Sequence, residues 1–278
     1  VKKVLGRYFK ISEEPLWLVI VFFLFEGFCL FTLCYSAFYL KNFEFVCLSL
    51  TSAFFVFFPW CVQRWLHLEF TPGMKVLIFI MAVTAAMAGH VYKFYHFIPM
   101  YDKILHCYFG FLFAPFGFII PLIADRNSDK KTHTAMCVLM AFTSVVTVSV
   151  IWELIEFGVD TIFHMDLQRD YIVNRMTSYD LFGESTGKMH YLEDITKTVI
   201  YTADGESVVF KGGYLDIGLY DSMIDLLVAV IGSGLFSLLY LIKNGKLVGF
   251  MVPKILPWDK EEYRQYKAER AQGKKKKE

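Results

Sequence analysis

Seven ionisable residues of this sequence recur at spacings that stack side chains on one helix face. Asp102 and His106 are four apart; Glu153, Glu156 and Asp160 are three and four apart; Asp221 and Asp225 are four apart. Positions i, i+3 and i+4 of an α-helix are neighbours. Each set lies near one end of an apolar run of about twenty residues, the length that crosses a bilayer core. An ionised group there costs at least about 2–3 kcal/mol, so it turns inward and marks a functional site by default.

The residue types suggest what such a site would do. Carboxylates and a histidine suit a divalent Mg, Mn, Fe or Zn ion. Helical bundles hold metals with carboxylates and histidines at these spacings. The expected metal ligands are Asp102, His106, Glu153, Glu156, Asp221 and Asp225. Glu153, Glu156 and Asp225 are also the expected catalytic groups, and a divalent metal ion of unspecified identity is the expected cofactor. Paired carboxylates could instead share a proton and serve acid–base chemistry or a proton relay. A third reading is a polar network that only ties helices together. Each set would sit roughly 5–10 Å inside its helix end at 1.5 Å per residue. His90 reaches the same level, and Glu26, in mid-span, either joins the cluster from below or caps a separate network. Trp152 reads as core packing. Gly232 and Gly234 suit close helix contact. No Walker loop, GxSxG or HExxH occurs.

The elements that must position these residues follow from hydropathy. Of 278 residues, 56% are hydrophobic and 18% aromatic, and the apolar residues come in long runs. This excludes an ordinary soluble domain. The predicted fold is all-α, a polytopic bundle of about six membrane-spanning helices at 16–40, 43–62, 74–91, 102–124, 134–159 and 219–242. Residues 1–14 read as an amphipathic segment on the membrane surface. Residues 15–242 form the membrane domain, including an outer loop at 160–218, and 243–278 form a basic tail. The first span is too long for a signal-peptide core and reads as retained. In the outer loop, β-rich runs at 198–202 and 207–211 flank Asp204-Gly205 and predict a hairpin. Each of the six cysteines lies in or beside an apolar run, with no CxxC pair, and reads as a small apolar residue rather than a disulfide or zinc ligand.

Charge placement predicts orientation. The segment from Lys243 carries 11 Lys and Arg against 5 Asp and Glu, whereas the loop from Asp166 to Asp216 carries 9 acidic and 5 basic residues. The other segments on the tail's side are also basic. The short loops on the opposite side hold only Lys41, Lys93 and Lys103. Both termini are therefore expected in the cytoplasm. The final lysine run reads as a solvated tail, with anionic lipid heads as the alternative contact.

Three segments carry a resemblance: Tyr101-Asp102-Lys103-Ile104-Leu105-His106, Trp152-Glu153-Leu154-Ile155-Glu156-Phe157 and Asp221-Ser222-Met223-Ile224-Asp225-Leu226. They resemble the signatures of the YjdF-like bacterial inner-membrane proteins, a family of unknown function. The lead-in Gly213 to Leu219 is similar to members from Gram-positive bacteria, and the likeness covers about His90 to Leu241. Ser222 stands where the family usually has Thr, which keeps a hydroxyl; His90 stands where many members have Glu. The stretch from Asp102 to His106 is distantly similar to VanZ-like proteins, which are linked to glycopeptide resistance. The resemblance implies a bacterial plasma membrane and no settled activity.

Three functions remain open: a membrane enzyme or metal-binding protein acting on a lipid-linked or envelope substrate, a proton- or cation-coupled transporter or channel subunit, and a structural envelope partner. Membrane lipids are the expected contact, no nucleic acid is expected, and a homo-oligomer or an envelope protein is the partner class considered.

Overall fold

The computed structural model describes residues 11–125, 132–181, 187–243, 245–256 and 265. Among the described residues, six helices are long and apolar enough to cross a membrane: α1 (Leu16–Leu40), α2 (Phe43–Trp65), α3 (Pro72–Val91), α5 (Tyr101–Ala124), α6 (Thr134–Phe163) and α7 (Leu219–Ile242). Between α3 and α5 lies the one-turn helix α4 (Phe94–Phe97). The predicted spans coincide with these helices, apart from a few residues at some ends. The amphipathic reading of residues 1–14 and most of the basic tail fall outside the described residues.

Helix starts follow local chemistry. Asn42 caps α2 by accepting from the Phe45 N–H at 3.1 Å. Thr71 caps α3 ahead of Pro72, accepting from the Met74 N–H at 3.3 Å. Three spans depart from α geometry. Tyr35–Leu40 and Val83–Val91 are π-helical, and Ala114–Phe118, with Pro115 in its first turn, is 3-10.

The chain divides into two compact units. The first is Val1–Thr147 with Val228–Glu278. One part of its core stacks Phe22, Trp60 and Phe79, with Phe22 and Trp60 ring centres 4.8 Å apart and Trp60 and Phe79 5.8 Å apart. Beside it, Lys75 is 1% exposed, pairs with Glu14 and lies 5.0 Å from the Trp60 ring centre. The other part of the core joins Phe70, Met74, Leu112, Phe118, Phe236, Val248 and Met251.

Within this unit α5 meets the Val228–Ile242 part of α7 through small residues. A Cβ added at Gly110 would lie 2.0 Å from the Ala229 carbonyl oxygen, and one at Gly232 2.0 Å from that of Cys107. Gly234 faces open space, so only Gly232 of the two expected contact glycines does this work.

The segment after α7, read from the sequence as tail, folds back over its first part. Strand β1 (Leu68–Glu69) pairs antiparallel with β8 (Lys254–Ile255), the last strand in chain order, placing Leu68 opposite Ile255. The Leu256 N–H donates to the His67 carbonyl at 2.7 Å, and the Thr71 hydroxyl to that of Phe250 at 2.7 Å. Val248, Met251 and Leu256 are buried. Their burial explains the order: the charges of the segment surround a short apolar run whose removal from water is favourable.

The second unit is Val148–Leu227. Its described strands form three antiparallel pairs: β2 (Tyr171–Val173) with β7 (Tyr214–Asp216), β3 (Met176–Ser178) with β4 (His190–Leu192), and β5 (Lys197–Tyr201) with β6 (Ser207–Lys211). The last is the predicted hairpin. The Thr202 N–H donates to the Glu206 carbonyl at 2.9 Å, and Gly205, at φ +89°, supplies the left-handed turn residue.

Candidate functional site

In the first unit the candidate groups open α5. Tyr101 ties its start to α3, its hydroxyl donating to the Thr84 carbonyl at 3.0 Å beside the π-helical stretch. His106 lies one turn after Asp102 on the same face, its Nε2 3.9 Å from Asp102 Oδ1. The predicted one-face spacing of this pair therefore holds. His90 sits at the end of α3 with its ring edge-on to Tyr95 at 4.8 Å.

Lys103 is the residue that sequence reasoning placed elsewhere. Counted with the loop lysines, it is instead 5% exposed, with Nζ 3.2 Å from Asp102 Oδ2. Adjacent helix residues normally point apart, so contact between Asp102 and Lys103 means that the long lysine stem curls back toward the carboxylate. The sequence signal was present, since a lysine inside the Tyr101–His106 segment is a charge within a span, but its nearness to the helix end made it read as interfacial.

In the second unit the residues near the end of α6 and the start of α7 are joined by the turn between them. Asp160 accepts from the Leu167 N–H at 2.7 Å and the Gln168 N–H at 2.8 Å. The Gln168 side-chain amide donates to Ser222 Oγ at 2.6 Å and reaches the Glu153 carbonyl at 3.5 Å. The Arg169 N–H donates to Asp221 Oδ2 at 3.0 Å. Ser222 thus uses the hydroxyl that it shares with threonine. Gln168 was not foreseen, because a loop glutamine carries no periodic signal. Asp221, Asp225 and Glu153 are buried, Asp225 to 1% exposure.

Glu156 has a different neighbour from Glu153: it accepts from Trp152 Nε1 at 2.8 Å. Trp152, expected in the core, is 48% exposed. An outward-facing indole needs a partner for its N–H, and the carboxylate one turn on supplies it. Glu26 is half-buried on α1. None of the six cysteines forms a disulfide, as expected.

Beyond the helix ends the second unit is strongly acidic. Burial pushes the Asp166 carboxyl above its ordinary range, and the charges of Asp170, Asp160 and Asp221 push the same way against Arg169. Burial likewise raises Asp170, helped by Asp216 and Asp160. These carboxylates create a negative potential around the turn that holds Asp221.

The family described as a predicted membrane protein (DUF2238) matches residues 20–245, and the chain belongs to that family. A protein of Thermotoga maritima, named only as an uncharacterized protein, is 30% identical over 117 residues, which cover 40% of this chain and 59% of that protein. No solved structure matches the chain.

Proposed function

We propose that this member of the DUF2238 family binds a divalent cation through Asp102 and His106 and uses it on a lipid-linked or envelope substrate. One observation carries the reading: Asp102 and His106 share a face of α5, with His106 Nε2 3.9 Å from Asp102 Oδ1. A carboxylate and an imidazole form a hard-to-borderline pair that fits Mn, Fe or Zn. Such a pair leaves coordination positions for water or substrate, as catalytic sites do and closed structural sites do not. Bound there, the ion would polarise a phosphoryl or carbonyl oxygen or acidify a water. The second unit's carboxylates Glu153, Glu156, Asp221 and Asp225 are the other groups proposed for metal or acid–base work. Glu153, the buried one of the two glutamates, is the better placed as a general base.

The likeness to YjdF-like proteins and the charge placement support a bacterial plasma membrane, with both termini in the cytoplasm and the site serving the outer leaflet. A cation pathway is the weaker alternative. In the first unit, the stretch of α5 beyond Gly110 packs Leu112 and Phe118 against Phe236, Val248 and Met251. An apolar core of that kind offers a hydrated ion no ligands.

The test is elemental analysis of detergent-purified protein reconstituted with Mn or Zn. Wild type should hold about one ion per chain; Asp102→Ala and His106→Ala should hold none while keeping helical circular dichroism. Glu153→Ala should keep the ion if its role is catalytic rather than ligating. A wild-type protein that retains no ion after reconstitution would refute the proposal.

A further inference from the structure

Where α2 ends and α3 begins, a lysine is buried against an aromatic ring. Lys75, in the first turn of α3, has a side chain only 1% exposed. A lysine this near a helix end can ordinarily extend its stem to the interface and keep its ammonium hydrated. Its Nζ instead lies 5.0 Å from the Trp60 ring centre and pairs with the Glu14 carboxylate. Glu14 sits on a short strap held at two points. One is Ile11, buried in the core that contains Trp60; the other is Pro15, where α1 starts. The neighbouring Glu13 is exposed, so one carboxylate of the strap turns inward and the other does not.

The pairing leaves polar atoms unused. Trp60 is fully buried, and its indole N–H has no hydrogen-bond partner among the described residues. Gln63, one turn further along α2, has a buried Oε1 in the same condition. A buried indole N–H usually finds an acceptor, because leaving it without one costs its desolvation. Nε1 belongs to the ring beside which the ammonium sits. The two donors therefore stand close enough for one anion to bridge, with hydrogen bonds of about 2.8 Å at each end. Glu14 reaches the ammonium but not the indole. A tetrahedral oxyanion, whose oxygens diverge in more directions than a carboxylate's two, can accept from both at once. The Gln63 amide, turned through half a rotation, offers it N–H donors as well.

We infer that Lys75, Trp60 and Gln63 form a binding site for a phosphate group, carried on a phospholipid head or free in water, and that Glu14 is its resident stand-in. All four residues lie in the first unit, and none is among the groups proposed for metal or acid–base work. Entry of the phosphate requires the Ile11–Glu14 strap to lift, so occupancy is coupled to the segment that precedes α1. In the proposed orientation this end of the unit faces the cytoplasmic leaflet, where anionic lipids present phosphates at the surface.

The experiment compares wild type, Glu14→Gln, Lys75→Met and Trp60→Phe, with a metal chelator present throughout so that no bound metal contributes. Inorganic phosphate, radiolabelled, is measured by equilibrium dialysis in detergent. Spin-labelled phosphatidic acid is compared with spin-labelled phosphatidylcholine by electron paramagnetic resonance in phosphatidylcholine nanodiscs. Glu14→Gln removes a tethered competitor, so it should bind about tenfold more tightly than wild type. Lys75→Met should lose binding. Trp60→Phe keeps an aromatic face and removes the N–H, so it should bind severalfold more weakly. Binding of inorganic phosphate supports a site for a soluble phosphate, and preference for phosphatidic acid alone supports a lipid phosphate. Absence of both in wild type and Glu14→Gln overturns the inference, as does binding in Glu14→Gln no tighter than in wild type. Undiminished binding in Lys75→Met or Trp60→Phe overturns it too. Should Lys75→Met lose its helical circular dichroism, Trp60→Phe decides in its place.

Discussion

Adding one methyl group at Gly232 should destabilise the first unit, whereas adding it two residues later should not. At Gly232 the new Cβ would lie 2.0 Å from the Cys107 carbonyl oxygen and 2.9 Å from the Phe111 backbone nitrogen. Ordinary contact begins near 3.4 Å, so α5 and α7 must part locally by more than 1 Å. The obstacles are backbone atoms, and no side chain can rotate to relieve them. Overpacking of this kind costs about 1–3 kcal/mol. At Gly234 nothing lies within 4 Å. Both substitutions gain the same helix propensity, about 1 kcal/mol, so their difference isolates the packing cost. Melting in detergent should place Gly232→Ala below Gly234→Ala by several degrees, at about 2–4 °C per kcal/mol for a chain of this size. Gly110→Ala, 2.0 Å from the Ala229 oxygen, should fall with Gly232→Ala, and the double variant should cost less than the sum because both open the same crossing. Equal melting of Gly232→Ala and Gly234→Ala would refute the argument that this contact fixes the α5–α7 spacing.

Asp160→Ala should free the Leu167 and Gln168 amides for rapid hydrogen exchange, because hydrogen bonds to a charged acceptor contribute about 1.5–3 kcal/mol each; unchanged protection at both amides would count against the turn as described. The pH response of the second unit follows from Asp166, whose carboxyl is raised by burial and by Asp170, Asp160 and Asp221. Its folded pKa lies above the unfolded value, so its contribution favours folding at low pH and is lost as pH rises through the folded pKa. Asp166→Asn should therefore raise denaturant resistance at pH 7 and lose that advantage below pH about 4, and a gain confined to acid would contradict the sign. Reporter fusions at Gly187 and after α7 should report opposite sides of the membrane; identical sidedness would break the six-span reading.

The spans were legible because a helix that must cross hydrocarbon writes its length into an unbroken apolar run. The β5–β6 hairpin was legible because its turn demands a residue such as Gly205 at positive φ. The other pairs were not. Tyr171–Val173 and Tyr214–Asp216 are three residues each, too short for alternation to register, and their partnership is set across most of the outer loop. Candidate residues at helical spacing were found because charge in a span is conspicuous. Their roles were less visible: Glu153 and Glu156 look alike in sequence, and only coordinates reveal that Glu156 serves an exposed tryptophan. Lys103 was hidden by its position, since near a helix end the same lysine can snorkel or be buried.

The β1–β8 clasp has a consequence for biogenesis. Leu68 and Ile255 pair across most of the chain, so β1 cannot form its strand pairing until α7 and the residues after it have been made. Buried Phe70 and Leu68 belong to the core that Val248 and Met251 complete, and they must wait, partly uncovered, throughout the intervening synthesis. The first unit is therefore a late-closing structure whose β1–β8 pairing joins the turn after α2 to the segment after α7. A chain arrested before residue 247 would present Leu68 and Phe70 as apolar surface of the sort that quality-control proteases read, even with all six helices already in the membrane.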